Sequence, residues 1–142
     1  MEIKLSNEKL RYLSLFEKLT DVTPKDVVET ESNDRLTYVV EEQDMGKAIG
    51  ENGKNIRKVR NNVDKKVHVV QYSDDFEEFL NNIFAPVELE EVKIEEKDGK
   101  KIATIEVEES DKGRAVGKDG WNIDRVRMLA DRHHGISSVH FA

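Results

Sequence analysis

The stretch "DMGKAIGENGKNIRKVR", residues 44–60, returns sixty-seven positions later as "DKGRAVGKDGWNIDRVR", residues 111–127. Nine of the seventeen aligned positions are identical, and three of those nine are glycines. Three further pairs are conservative exchanges: Lys47/Arg114, Ile49/Val116 and Lys58/Arg125. Similarity at a fixed offset indicates an internal repeat. Two copies are too few for a solenoid, so we infer that a small domain has been duplicated.

The sequence before each copy predicts a helix followed by a hairpin. Apolar residues at helical spacing predict one helix around Leu10–Leu19, capped by Ser6 and ended by Asp21–Pro24, and another around Phe76–Phe84. We expect Ser73 or Asp74 to cap the second helix and Pro86 to end it. The predicted hairpins are "DVVET" with "RLTYVVEE" around Ser32-Asn33-Asp34, and "VELEEVKIEE" with "KIATIEVEE" around Asp98-Gly99.

Each copy then predicts two helices joined by a glycine turn, and a final strand. The short helices are Met45–Ile49 and Lys112–Val116, and the last strands are "KVHVVQ" and "SSVHFA". Five residues of the longer helices are expected in the core: Val59, Val63, Val126, Leu129 and Ala130. The resulting order is α-β-β-α-α-β, twice, in an α+β fold with a three-stranded sheet packed by helices in each unit. We place the domains at residues 1–72 and 73–142.

Composition limits the classes of function. The 142 residues contain no cysteine, which excludes disulfides, a thiolate nucleophile and a cysteine zinc site. The N-terminus lacks the apolar region of a signal peptide and no stretch is long enough to span a membrane, so we expect a cytoplasmic protein without a membrane partner. No carboxylate or cysteine spacing completes a ligand set with the histidines, so neither a metal nor a cofactor is expected.

Charge is distributed unevenly along the chain. The formal net charge is −7, yet residues 46–73 hold seven Lys and Arg against two acids, and residues 112–142 hold six against three. Residues 74–98 hold ten acids and two lysines. Positive charge therefore lies on the two glycine turns and the segments after them, which favours an anionic partner there.

The glycine turns, "IGENG" and "VGKDG", have a chemical interpretation. The first glycine lets the chain leave a helix through positive φ, and the last lets the next helix begin with its amides uncovered. Those N–H groups, at the positive end of the helix dipole, suit a phosphate. Flanking Lys and Arg with an apolar Ile or Val on either side suit a sugar-phosphate backbone whose bases lie over an apolar surface.

The segments "IGENGKNI" and "VGKDGWNI" resemble the I-G-x-x-G-x-x-I signature of the KH domain, an RNA-binding module whose GXXG loop clamps four nucleotides of a single strand. The element order resembles the type II KH arrangement. Two such domains with almost no linker resemble the tandem KH part of the NusA transcription factor family. The match leaves no room for the other domains of bacterial members, and in this the chain resembles the short archaeal NusA-like proteins.

The resemblance implies a single-stranded RNA-binding protein of transcription elongation or termination, without enzymatic activity and with RNA polymerase as a further candidate partner. We expect a monomer, although the sequence does not fix the oligomeric state. The candidate RNA-binding residues are Lys47, Ile49, Gly50, Glu51, Asn52, Gly53, Lys54, Asn55, Arg57, Lys58, Arg114, Val116, Gly117, Lys118, Asp119, Gly120, Trp121, Asn122 and Arg125.

Several alternatives stay open at the level of sequence. KH domains of this type also occur in ribosomal and ribosome-assembly proteins, and the acidic stretch 74–98 is a candidate docking face in a protein-protein adaptor. Trp121 stacks either on a base or on its own domain. Any single basic residue either contacts RNA or belongs to a solvated helix face. Glu51 and Asp119 would each repel a phosphate, so we expect modest affinity per loop and a gain from using both.

Overall fold

The computed structural model describes residues 7–30 and 34–142, and the helices and strands follow the predicted order twice. The predicted Ser6 cap and the Ser32-Asn33 part of the first turn lie outside the described residues. The elements are α1 (Asn7–Thr20), β1 (Asp26–Thr30), β2 (Arg35–Val40), α2 (Met45–Ile49), α3 (Lys54–Asn61), β3 (Lys66–Gln71), α4 (Phe76–Phe84), β4 (Glu91–Lys97), β5 (Lys100–Glu106), α5 (Lys112–Val116), α6 (Trp121–His134) and β6 (Ile136–Phe141).

The described residues form two compact units, one of residues 7–29 and 34–72 and the other of residue 30 and residues 73–142. The first contains a three-stranded sheet in the order β1-β2-β3, with β3 parallel to β2. The second contains a sheet in the order β4-β5-β6, with β4 antiparallel and β6 parallel to β5. The α+β class and the three-stranded sheets packed by helices are therefore confirmed.

The core of the first unit lies between α1, α3 and one face of the sheet. Phe16 of α1 stacks on Tyr38 of β2 with 4.2 Å between ring centroids. The Tyr38 hydroxyl donates to the backbone oxygen of Tyr12 at 2.9 Å, so the one polar atom of that ring is satisfied inside the core. Val59 of α3 is fully buried in this cluster, and Val63 is partly buried against it. The predicted stripe is thus turned to the core, although α3 ends at Asn61 and Val63 lies just beyond it.

The core of the second unit is built on α4 and α6. Phe79, Leu80 and Ile83 of α4 are almost completely buried, as are Val126 and Leu129 of α6. The α4 cap differs from the prediction, since neither Ser73 nor Asp74 caps the helix. The carboxylate of Asp75 accepts the backbone N–H of Glu78 at 3.0 Å and is the N-cap. Residues 73–75 are all of types that can cap a helix, and the burial of Phe76 in the core selects Asp75.

The second hairpin turns at Asp98 and Gly99, as predicted. Both residues have positive φ, 53° and 77°, which is the requirement of the two-residue turn that joins twisted antiparallel strands. The strand before it is shorter than expected, because residues 87–90 are not part of β4. Val87 donates its N–H to the oxygen of Phe84 and its side chain is buried, so the segment begins by closing α4. It reaches the sheet at Glu90, whose N–H bonds the oxygen of Glu106 at 2.8 Å.

Candidate nucleic-acid interface

The first glycine loop joins α2 to α3 through a single turn, Glu51–Gly53. Gly50 ends α2 with φ of 79°, and Gly53 precedes α3 with φ of 74°. Asn52 between them also has positive φ, 54°, a conformation that Asn tolerates better than most residues. Gly50 N–H bonds back to Gly46, and Gly53 N–H bonds back to Gly50, at 2.9 and 3.0 Å. These bonds hold the loop tightly against the end of α2.

The second loop repeats this backbone conformation. Gly117, Asp119 and Gly120 have φ of 82°, 57° and 76°. The hydrogen bonds repeat as well, from Gly117 to Gly113 and from Gly120 to Gly117, at 2.9 and 3.0 Å. Positive φ at the first glycine was predicted from the sequence, and the structure shows it in both copies.

The first glycine of each loop is also required for space. A Cβ on Gly50 would lie 2.8 Å from the backbone N of Asn55, and one on Gly117 would lie 2.9 Å from the backbone N of Asn122. Contacts below 3.0 Å with the backbone of the following helix cannot be relieved by turning a side chain. The first glycine of each loop therefore packs directly on the first turn of the helix that follows.

The two longer helices begin without a side-chain cap in the part of the chain described by the structure. Neither Gly53 before α3 nor Gly120 before α6 offers a side-chain acceptor. The positive end of each helix dipole therefore meets the surface at the loop. No carboxylate cap competes with an anion at this position. The first N–H of each helix already bonds a loop oxygen, that of Lys54 to Glu51 and that of Trp121 to Lys118.

Around the first loop the structure places four exposed cations. Lys54, Arg57 and Lys58 lie on the exposed face of α3. Arg57 donates from Nη1 to the backbone oxygen of Asn52, so it also braces the loop. Lys47 of α2 pairs with Asp21 at 2.9 Å, and their hydrogen bond and mutual attraction raise the pKa of Lys47 and lower the pKa of Asp21.

Around the second loop the same helix positions have different surroundings. Lys118 and Arg114 are exposed, and Arg114 pairs with Asp111 at 2.6 Å. Trp121 is half-buried, and the guanidinium carbon of Arg125 lies 4.7 Å from its ring centroid. A Cβ on Gly117 would lie 2.6 Å from the indole Nε1, so the edge of the indole packs against the loop itself.

Two predicted contact residues of the second loop are interior. Arg125 is 5% exposed; its Nε donates to Asn122 Oδ1 and its Nη2 to the backbone oxygen of Ile83, each at 2.9 Å. Asn122 is 4% exposed and donates to the backbone oxygen of Ala115 at 2.8 Å. Groups this buried and bonded offer no surface to a phosphate. The structure therefore gives both a role inside the unit, where the sequence had predicted contact with RNA.

The other candidates lie at or beside the loops, exposed or half-buried. Asn55, equivalent to Asn122, is half-buried and donates to the oxygen of Lys47 at 2.7 Å, so this asparagine holds the short helix in both copies. Six other candidates are half-buried: Ile49, Gly50, Gly53, Val116, Gly117 and Gly120. Six are exposed: Glu51, Asn52, Lys54, Lys58, Lys118 and Asp119.

The arginine that closes each repeated segment was not among the predicted RNA-binding residues. Arg60 bonds the backbone oxygen of Val67 at 3.3 to 3.4 Å, and Arg127 bonds that of Val139 at 3.2 Å. Each ties the helix after the loop to the last strand of its sheet. The available signal was that both arginines are identical in the alignment of the two copies. Identity alone does not distinguish a repeated surface contact from a repeated structural contact.

Comparisons with known proteins agree with this geometry. A family model of the KH domain matches residues 10–98, and one of the NusA-like second KH domain matches residues 76–139. The chain is 34% identical to the probable transcription termination protein NusA of Halococcus morrhuae over the whole of both chains. The chain belongs to the NusA-like family of KH-domain proteins. The resemblance inferred from the two glycine loops is thereby confirmed.

Further relatives cover nearly the whole chain. The probable transcription termination protein NusA of Methanococcus vannielii is 34% identical over 98% of this chain and 79% of that protein. The crystal structure of APE1850 superimposes with a TM-score of 0.82 at 37% identity, covering 97% of this chain and all of that one. The NusA-like KH family is one of RNA-binding transcription factors and is generally non-enzymatic. None of the helices in the described ranges is apolar over a length that would cross a bilayer.

Proposed function

We propose that this protein binds single-stranded RNA with both glycine loops, as two type II KH domains at residues 1–72 and 73–142, and acts in transcription elongation or termination in the cytoplasm. The observation that supports the loops as the site is the repetition of one backbone geometry. Each loop has positive φ at its first, third and fourth residues and precedes a helix without a side-chain cap. Family membership gives the class of ligand.

The charge around the loops supports a phosphate ligand. Exposed Lys54, Arg57 and Lys58 follow the first loop, and exposed Lys118 lies in the second. Phosphate contacts of this kind release counterions, so binding weakens as salt rises. Ile49 and Val116, half-buried at the ends of the short helices, give each loop an apolar side on which bases can lie.

The test replaces the loop residues without changing their backbone. Glu51→Asp with Asn52→Asp, combined with Lys118→Asp, gives both loops the Asp-Asp sequence. Asp is compatible with positive φ at position 52, since Asp119 already has this conformation in the second loop. We expect loss of binding to a short unstructured RNA in fluorescence anisotropy at low salt, with an unchanged circular dichroism spectrum.

A matched control lowers the net charge by the same amount elsewhere. Lys97→Gln with Lys100→Asp changes the net charge by the same amount at the exposed end of the β4–β5 hairpin, and this variant should bind RNA like the wild type. Equal loss in both variants would show that net charge, not the loops, governs binding. Absence of RNA binding by the wild type at low salt would refute the proposal itself.

The proposed role in transcription has its own test. The intact protein, immobilised and incubated with a lysate, should retain RNA polymerase. If polymerase contacts the protein directly, it should be retained after nuclease treatment as well. Retention of ribosomal subunits without polymerase would favour the ribosome-associated alternative. Retention of polymerase by both the wild type and the loop variant, with RNA binding by neither, would favour the adaptor.

A further inference from the structure

The helices that follow the two loops present different charges at equivalent positions. The repeat places Lys54 with Trp121, Arg57 with Asp124, and Lys58 with Arg125. In α3 all three side chains are exposed and positive. In α6 the same places hold a half-buried aromatic ring, an exposed acid and a buried arginine. Over residues 54–58, α3 therefore offers three cations to solvent, and the equivalent residues 121–125 of α6 offer none. Arg60 and Arg127 follow at equivalent positions and are exposed in both helices, so they do not contribute to the difference.

Contacts within the second unit keep Arg125 from the surface. Its guanidinium bonds Asn122 and the oxygen of Ile83 and lies against Trp121. Ile83 is in the last turn of α4, where helix carbonyls lack intrahelical donors. Turning Arg125 outward to a phosphate would break these bonds and expose the ring that packs on Gly117.

The remaining charges do not remove this difference. Each loop holds one acid, Glu51 or Asp119, and each short helix holds one cation already paired with a carboxylate, Lys47 with Asp21 and Arg114 with Asp111. The loop acid and the paired cation each occur once in each unit, so they do not distinguish the two loops. Lys118 is an exposed cation of the second loop.

We propose, on the basis of the RNA-binding function proposed above, that the first loop with α3 anchors the RNA phosphates and carries most of the salt dependence of binding. The second loop contributes contacts that depend little on salt. For single strands the slope of log affinity against log salt is about −0.7 for each phosphate neutralised. The three cations of α3 then account for a slope of about −2, and Lys118 for about −0.7.

The decisive measurement is the salt dependence of RNA affinity for matched variants of the full chain, with oligouridine as the probe. With four contacting cations, the wild type should lose about 50-fold in affinity between 50 and 200 mM salt, and Lys54→Gln with Lys58→Gln should lose only about sevenfold. Lys97→Gln with Lys100→Gln removes the same charge on the β4–β5 hairpin and should lose affinity like the wild type. Equal slopes for the two double variants would overturn the proposal.

A second comparison uses the equivalent pair Lys58 and Arg125. Lys58→Met should reduce the magnitude of the slope by about 0.7, whereas Arg125→Met should leave it unchanged although the same charge is removed. Equal reductions would mean that Arg125 reaches the RNA, and the proposal would be wrong. If Arg125→Met does not fold, the two double variants decide the question. Wild-type protein that binds no oligouridine or other single strand at low salt would instead refute the proposed function.

Discussion

Replacing Arg125 by methionine tests whether the second loop is held from inside its own unit. Methionine keeps the length and much of the volume of the side chain and removes the guanidinium. In the variant, the oxygen of Ile83 and Asn122 Oδ1 each lose a guanidinium donor that lies 2.9 Å away in the wild type. Trp121 loses the cation that lies 4.7 Å from its ring centroid. The carbonyl at the end of α4 is the costliest of these losses, since it is buried with its helix.

The magnitude follows from these contacts. A hydrogen bond to a charged group contributes about 1.5–3 kcal/mol, and a cation over an aromatic ring about 0.5–2 kcal/mol. Removing a buried charge also recovers part of its desolvation cost, which offsets some of the loss. We expect the free energy of unfolding to fall by about 3 kcal/mol, which for a unit of this size lowers Tm by about 12–24 °C.

The assay is urea denaturation followed by tryptophan emission, because Trp121 is the only tryptophan and reports on the second unit. Lys58→Met is the control at the equivalent position of the first unit, where the side chain is exposed. It should change stability by less than about 0.5 kcal/mol, measured by circular dichroism. A loss below about 1 kcal/mol for Arg125→Met, or equal losses for the two variants, would refute the assigned role of Arg125.

Three further predictions concern stability. Gly117→Ala should destabilise more than Gly120→Ala in urea denaturation: both have positive φ, but only at 117 would the Cβ meet the next helix below 3.0 Å. Burial raises the pKa of Tyr38, which favours the neutral hydroxyl in the fold. The free energy of unfolding of the wild type should therefore fall as pH rises above about 10. It should fall less for Tyr38→Phe when the two proteins are compared by chemical denaturation. Phe79→Ala, at a fully buried position, should cost about 3–5 kcal/mol by the same measurement.

Much of the fold was predictable because it depends on local patterns. The stripe of apolar residues that predicts α4 is the stripe that the structure buries, and Asp98-Gly99 turns the hairpin that it predicts. Element ends were less predictable. The α4 cap fell on Asp75, and the start of β4 fell on Glu91, because burial of Phe76 and Val87 selects among several locally acceptable residues.

The site was predictable in its backbone and less so in its side chains. The glycine pattern predicted positive φ where each short helix ends, and Gly50 and Gly117 have it. The roles of Lys58 and Arg125 could not be separated by sequence, since the exchange is conservative and both lie on helices of similar pattern. The difference depends on the oxygen of Ile83, 42 residues away, and on a neighbouring tryptophan that the first copy lacks.

These observations together suggest how the two copies of the repeat have diverged. The loop conformation is fixed by glycines and backbone hydrogen bonds, so the side chains of the following helix can change without altering it. Lys54 and Trp121 stand at the same backbone position. Lys58 is exposed near the first, whereas Arg125 lies against the indole of the second and bonds the oxygen of Ile83. Exchanging Lys54 and Lys58 for the Trp and Arg of the second copy should therefore require both substitutions together. A lone Lys58→Arg would stay exposed, because the first unit has no indole for it to pack against.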